Sequence, residues 1–302
     1  MAKSRRQKKK ERRPAPVSPP APSLVHGTLA FFQIGDAAQD TMRLQPLRVA
    51  LLLAIALHQL NSFPMIGVAF FGAAALSLVP GAGRWACLVG FVLLAGRHVS
   101  TFPDVSNHSY LESVLLLLLS LGDERRKEEG ALALQGVRWL TVLVFVWAGL
   151  NKIWYGAYFD GRLFVLLASG RESFAAPFAQ ILSADEWGHI AALDPRRIGA
   201  GPFLPTSSIL PAVANASWVA EIAIGVLLLI PATRLYGAIA GLGLLLVIEA
   251  LMREVTFGLV TANLLFCSLP VRSQRIGAAV LGGIVLVLVP FKLGYLSGFD
   301  FM

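Results

Sequence analysis

Lys152 closes an uncharged apolar run, Trp139–Leu150, long enough to be most of a membrane-spanning helix. Burying an ammonium in hydrocarbon costs roughly 2.5–3.5 kcal/mol on insertion scales, so a lysine at that depth faces protein, pairs, or does chemistry. Desolvation favours its neutral amine, the form that acts as a base or nucleophile. A lysine near a helix end can instead snorkel its ammonium to the headgroups, and position alone leaves both readings open.

Other ionisable residues sit beside similar runs: His58, His108, Glu221, Glu249, Arg253 and Glu254. If the runs alternate across a membrane, all of these fall near one face together with Lys152, while few ionisable groups remain elsewhere in the spans. A one-sided polar chamber satisfies them, because lipid cannot. Ion pairing at helix ends would satisfy Glu221, Glu249, Arg253 and Glu254 equally well, and His58 also reads as a hydrogen-bonded polar residue without further role.

The elements that must position these groups follow from composition. With 56% hydrophobic and 15% charged residues over 302 positions and a mean hydropathy of +0.66, the chain is too apolar and too long for a single soluble core. The expected fold class is all-α, a polytopic integral membrane helical bundle of up to nine transmembrane helices. The runs are Val49–Phe63, Met65–Val79, Trp85–Leu94, Tyr110–Leu121, Trp139–Lys152, Trp218–Ile230, Leu235–Leu251, Phe257–Leu269 and Ile276–Val289. Several fall short of the ~20 residues needed to cross hydrocarbon, so they must borrow flanking residues, tilt, or be shielded by neighbours. Glycines at 237, 241, 243, 277, 282 and 283 would allow close helix approach.

The net charge of +8 suggests nucleic acid, but residues 1–13 hold eight Lys/Arg against one Glu, leaving about +1 elsewhere. The segment Pro14–Pro22 then carries five prolines in nine residues and reads as an extended linker. Residues 1–23 are therefore expected to be a basic, Pro-rich, disordered cytoplasmic tail that touches anionic lipid; residues 24–302 are expected to form the transmembrane domain. No apolar core follows the basic stretch, so no cleaved signal is expected. Nucleic acid is not expected as a partner, since no folded or aromatic reader accompanies the tail. Cys87 and Cys267 read as small buried hydrophobes, no spacing supports a metal site, and no phosphate-binding glycine loop is present.

Asn107-His108-Ser109-Tyr110-Leu111, entering an apolar helix, resembles a stretch of the vitamin K-dependent gamma-carboxylases and the wider horizontally transferred transmembrane (HTTM) proteins. Ala148-Gly149-Leu150-Asn151-Lys152 is similar to the family's Ala-Gly-x-x-Lys, with an aromatic residue and Gly161 following at one extra residue of spacing. The resemblance covers roughly residues 43 to 290 and is specific at these two places. It implies a reduced quinone as cofactor and no metal, Lys152 as the base that initiates quinone oxygenation, and His108 as its quinone-side partner. Asn107, Tyr110 and Arg253 are the implied cofactor-binding residues, with Arg253 stabilising developing negative charge. His58, Glu221, Glu249 and Glu254 would support the chamber. The implied activity is quinone-coupled oxygenation or carboxylation of a glutamate, with a peptide or protein substrate or a partner subunit.

Two departures stand against a direct transfer. The chain ends shortly after its last run, without the large extracytoplasmic domain by which the carboxylases hold their substrates, and the region after the seventh run reads Glu249-Ala250-Leu251-Met252-Arg253-Glu254 in place of a His-containing helix. Glu221 to Arg234 is also similar to DoxX-like and MauE-like membrane proteins, which would make the chain a non-enzymatic maturation or quinone-linked partner subunit. A transporter would use the same chamber as a path, although no internal repeat is evident.

Basic residues between the runs (Arg84; Arg125, Arg126, Lys127 and Arg138; Arg234; Arg272 and Arg275) set the orientation. They put the N-terminus in the cytoplasm, here expected to lie inside a prokaryotic inner (plasma) membrane, and the loop at about 153–217 outside. Nine crossings then require the C-terminus outside. Cysteine labelling of Ser4→Cys and Asp300→Cys variants, with Cys87 and Cys267 replaced, is expected to show opposite sidedness; labelling from one side overturns the count.

Overall fold

The computed structural model describes residues 37–103, 107–156, 158–170, 174, 175, 178, 179, 181–193, 203–252 and 255–269. At 37–42, 61, 62, 107, 108, 249–252, 255 and 256 it describes the backbone alone. All belong to one compact unit, Ile34–Met302. Among the described residues there are ten helices and no strand: α1 (Ala37–Ser62), α2 (Pro64–Leu76), α3 (Gly83–Thr101), α4 (Asn107–Leu121), α5 (Lys127–Tyr155), α6 (Arg162–Gly170), α7 (Ala184–Ala191), α8 (Ile209–Leu229), α9 (Arg234–Met252) and α10 (Val255–Phe266).

Local sequence explains where several of these begin and end. Pro64 opens α2, where its missing N–H costs nothing. Glu128 and Glu129 occupy the first turn of α5 and complement its dipole; the helix stops at Gly156, left-handed at φ 70°, whose N–H caps the Lys152 carbonyl. Ser183 caps α7 by accepting from the Glu186 N–H at 3.2 Å.

Two helices, α5 and α8, are long and apolar enough to cross a membrane; α2 and segments of α4, α9 and α10 are shorter apolar helices. The eight apolar runs up to Leu269 all fall in helices or their immediate ends, and the ninth, Ile276–Val289, lies outside the described residues, as does the tail 1–23. Boundaries differ from the runs: α3 extends through Arg97 and His98 to Thr101, and α5 starts twelve residues before Trp139. Hydropathy misses these extensions because polar residues interrupt the apolar pattern, Arg97 and His98 in α3 and Lys127, Glu128 and Glu129 at the start of α5.

One core joins α1–α5 with α10, a second joins α5, α8, α9 and α10, and a third packs α6, α7 and the start of α8. Outside these cores the helices present apolar side chains. On α5, Val142, Phe145 and Gly149 are buried, while Leu143, Trp147, Leu150 and Trp154 form an exposed stripe along the opposite face. Similar exposed positions recur on α2 (Met65, Val68), α3 (Val89, Val92) and α9 (Leu246, Val247).

Gly149 and Gly225 bring α5 and α8 together: a Cβ on either would lie 2.5 Å from Ile222 or Val146, respectively. The start of α1, the ends of α4 and α10, and the start of α5 share one end of the bundle. There Arg43 and Arg138 both donate to the Cys267 carbonyl, and Arg48, fully buried, donates to the carbonyls of Leu119 and Gly122 and to Glu124. Chain direction then puts the C-termini of α1, α3 and α5 and the N-terminus of α4 toward the opposite end.

The Arg48 end is held by charge satisfied from several helices. Burial pushes the Glu124 carboxyl up, but the Gly81 N–H and Arg48 outweigh it, and the Arg125 N–H holds Asp123 low; both carboxyls lie below their ordinary values. Groups with depressed folded values stabilise above the ordinary carboxylate range and lose that contribution as pH falls below it. Arg48→Met, which strands Glu124 and two carbonyls, is expected to cost about 3–5 kcal/mol, read as a large drop in thermal midpoint of the detergent-solubilised protein. An Arg126→Met control, in which an exposed i,i+3 pair is lost, is expected to stay near wild type.

Candidate functional site

Lys152 lies in the last turn of α5, and its ammonium donates to Glu221 Oε1 of α8 at 2.5 Å. Both side chains are largely buried, Glu221 the more so. The close approach at Gly149, one turn before Lys152, is what allows so short a bridge. The chain turns back after α5 through Gly156 and Gly161, at φ 70° and 75°, and lays Tyr158 beside the pair, its ring centre 5.1 Å from Nζ. A Cβ at Gly161 would run into the Pro211 backbone at 2.8 Å, so only glycine lets this segment cross the start of α8. Burial, then the Glu221 charge, pushes the Tyr158 phenol up to about 12, so it remains a protonated donor at neutral pH.

Glu221 sits well inside α8, not at the opening of the span, because α8 begins at Ile209. Its second oxygen, Oε2, is buried and without a hydrogen bond. It lines an apolar pocket between α5, α8, α9 and α10, walled by Phe145, Ala148, Leu245, Phe257 and Thr261. The Thr261 hydroxyl is likewise buried and without a partner. Each such atom costs about 1–3 kcal/mol when left unmade, so the pocket combines apolar walls with a spare carboxylate acceptor and a spare hydroxyl.

His58 does not join this pair. Its Nδ1 lies 2.9 Å from Glu112 Oε1 of α4, and Glu112 is fully buried. Around them, Arg97 Nη1 donates to Gln59 Oε1 at 2.9 Å, and His98 Nε2 meets the Ser109 carbonyl at 3.0 Å and Ser113 Oγ at 2.8 Å. Tyr110 is half-exposed, with its ring 5.0 Å from that of His98. Asn107 and His108 form the first turn of α4, and Glu249 lies in α9; their side chains fall outside the described residues, and Arg253 and Glu254 fall outside them altogether.

Sequence reasoning therefore passed over Gln59, Arg97, His98 and Glu112. A signal existed for Glu112, the single acidic residue in the run 110–121, directly after the NHSYL stretch. Arg97 and His98 were hidden because they follow the third run, where a helix end was expected. Among the described residues no cluster of three His, Cys, Asp or Glu could hold a metal ion. Cys87 and Cys267 are buried and not joined in a disulfide.

Comparison of the chain with family models, with curated proteins and with solved structures finds no match.

Lys152 and Glu221 are coupled strongly enough to be read in a double-mutant cycle. Either Lys152→Met or Glu221→Gln alone leaves one buried group unpaired and is expected to cost about 3–5 kcal/mol. The double variant is expected to cost clearly less than the sum of the two, measured by denaturant or thermal unfolding in detergent. Additive losses would mean that the two side chains do not meet.

Proposed function

We propose that the chain is a polytopic membrane enzyme that uses a reduced quinone, in the manner of an HTTM-type or gamma-carboxylase-like membrane domain, with Lys152 and Glu221 as its reacting pair. The observation that carries this reading is a buried Lys–Glu pair whose carboxylate keeps one oxygen free inside an apolar pocket. Exposed stripes of Leu, Val and Trp on α2, α3, α5 and α9 support a lipid surrounding, since water would leave them unsatisfied. A nine-span topology with the N-terminus in the cytoplasm belongs to the same proposal.

The lining has the chemistry to meet a quinol hydroxyl, and the cavity as it stands has room for about one water, so a ring enters only if Phe145, Phe257 and Leu245 move apart. Glu221 Oε2 would then accept a hydroxyl hydrogen, and the Thr261 hydroxyl would serve as a second polar contact. When bound, a reduced quinone supplies two electrons and two protons. Glu221 would orient the ligand hydroxyl through Oε2 while holding Lys152 through Oε1. Transfer of one proton from Nζ to Oε1 discharges both groups and leaves a neutral amine, the form of Lys152 that can act as a base. The Lys152 side chain is 18% exposed, so a bound ligand would have to complete the cover over the amine before a strongly basic species could form beside it. Dioxygen, which takes the two electrons the quinol gives up, is a proposed co-substrate together with carbon dioxide and a carboxylate-bearing peptide.

Lys152→Arg separates a base from a structural cation, because a guanidinium can keep the ion pair but does not give up its proton at accessible pH. With purified full-length protein and a supplied reduced quinone, the variant is expected to keep its stability and to lose about 10²- to 10⁴-fold in oxidation rate, measured with and without carbon dioxide. A wild-type protein that binds the quinol yet never turns it over would sink the enzyme reading.

A further inference from the structure

We infer that His58 and Glu112 form a second acid–base site in this bundle, with His58 as a catalytic base for an O–H group and Glu112 as the residue that positions it. Its role in catalysis rests on the quinol reading given above; its geometry does not. The cluster holds two imidazoles, and hydrogen bonding fixes the tautomer of each. His98 Nε2 lies against the Ser109 carbonyl, which can only accept, so Nε2 carries hydrogen and Nδ1 is the free nitrogen. That Nδ1 is buried and without a partner. His58 is the reverse case. Its Nδ1–H donates to the Glu112 carboxylate at 2.9 Å, which leaves Nε2 as the bare acceptor. The His58 side chain is 22% exposed while Glu112 is 0% exposed, and Nε2 is not among the sealed polar atoms. Of the two free ring nitrogens, only that of His58 can be reached by a ligand.

A carboxylate behind an imidazole does two things: it holds the ring in the reactive tautomer, and it stabilises the imidazolium once a proton has been taken. Here the carboxylate is sealed in the bundle, with Oε1 on His58 Nδ1 and Oε2 unpartnered, so it holds the ring from behind. The step is simple in its balance. A ligand O–H bond breaks, its electron pair stays on oxygen as an oxyanion, and the proton forms an N–H bond at Nε2. Arg97, held to Gln59 next to His58 on α1, adds a positive charge to the same cluster.

The titratable groups around His58 come from three of the helices packed on α1. Of the helices packed on α1, α2 and α10 carry no titratable residue. From α3 come Arg97 and His98, from α4 Glu112, Tyr110 and the His108 of its first turn, and from α5 Lys152 and Tyr155 at this end. Lys152 is held by Glu221, in a pair separate from that of His58 and Glu112.

The test uses full-length protein in detergent with the same reduced quinone. His58→Gln is expected to lower kcat/KM by about 10²- to 10⁴-fold, and free imidazole is expected to restore part of the rate in His58→Gly. Glu112→Gln is expected to lower the rate as well, and Glu112→Asp to recover part of it, because the carboxylate holds the ring in the reactive tautomer. A merely structural role does not predict the imidazole rescue, and a full rate in His58→Gln, or the absence of both the rescue and the Glu112→Gln loss, overturns the assignment. If wild type does not oxidise the quinol, the reading of the Lys152 pocket fails, and acylation by diethyl pyrocarbonate mapped by mass spectrometry decides the dyad alone. His58 is then expected to react faster than His98, and more slowly in Glu112→Gln; equal reactivity of the two histidines, or no effect of Glu112→Gln, overturns it.

Discussion

A charged group inside this apolar bundle is stable only against a partner from another helix, and that constraint organises both ends of the molecule. At one end Arg48 reaches from α1 to the end of α4 and to Glu124 beyond it; toward the other, Glu112 joins α4 to α1 through His58, and Glu221 joins α8 to α5 through Lys152. Each pair gains from the low dielectric what it loses in hydration only because its geometry is short and its partner is fixed. The helices are thus held in register by polar contacts, while the apolar side chains between them fill space without strongly preferring one register over another.

The two ends use this constraint differently. Around Arg48 the guanidinium spends its donors on two carbonyls and a carboxylate, and Glu124 in turn accepts from the Gly81 N–H. Such saturation suits a structural joint. At the Lys152 end both buried carboxylates keep one oxygen without a partner, as do Thr261 in the pocket and His98 in the second cluster. Unmade hydrogen bonds in a low dielectric are costly; others lie elsewhere in the bundle, at Arg84 Nε beside Asp123 and at Glu186 Oε2 of α7.

Small residues make that arrangement sterically feasible. Gly149 and Gly225 let α5 and α8 approach until Lys152 and Glu221 meet, and Gly161 lets the following segment cross the start of α8 and place Tyr158 against the ammonium. A side chain at any of the three would collide with a neighbour, so the chemistry of the pair depends on positions that carry no chemistry of their own.

The all-helical class, the apolar runs and the anomaly of Lys152 were legible in the sequence, because hydropathy and an isolated charge are properties of the chain read in order. Glu221 was also legible as a chamber residue, though its depth within α8 was not, since Pro211, Asn215 and Ser217 interrupt the apolar pattern ahead of Trp218. His58 was placed near Lys152, whereas the fold gives it to Glu112, a residue concealed by the leucines around it. The sequence by itself determines which residues cannot face lipid or stay unpaired, since that follows from their own chemistry. Which carboxylate each base receives, and which oxygen is left free, was decided only by the tertiary structure, because pairing over 54 and 69 positions of chain depends on how helices cross and not on any local pattern.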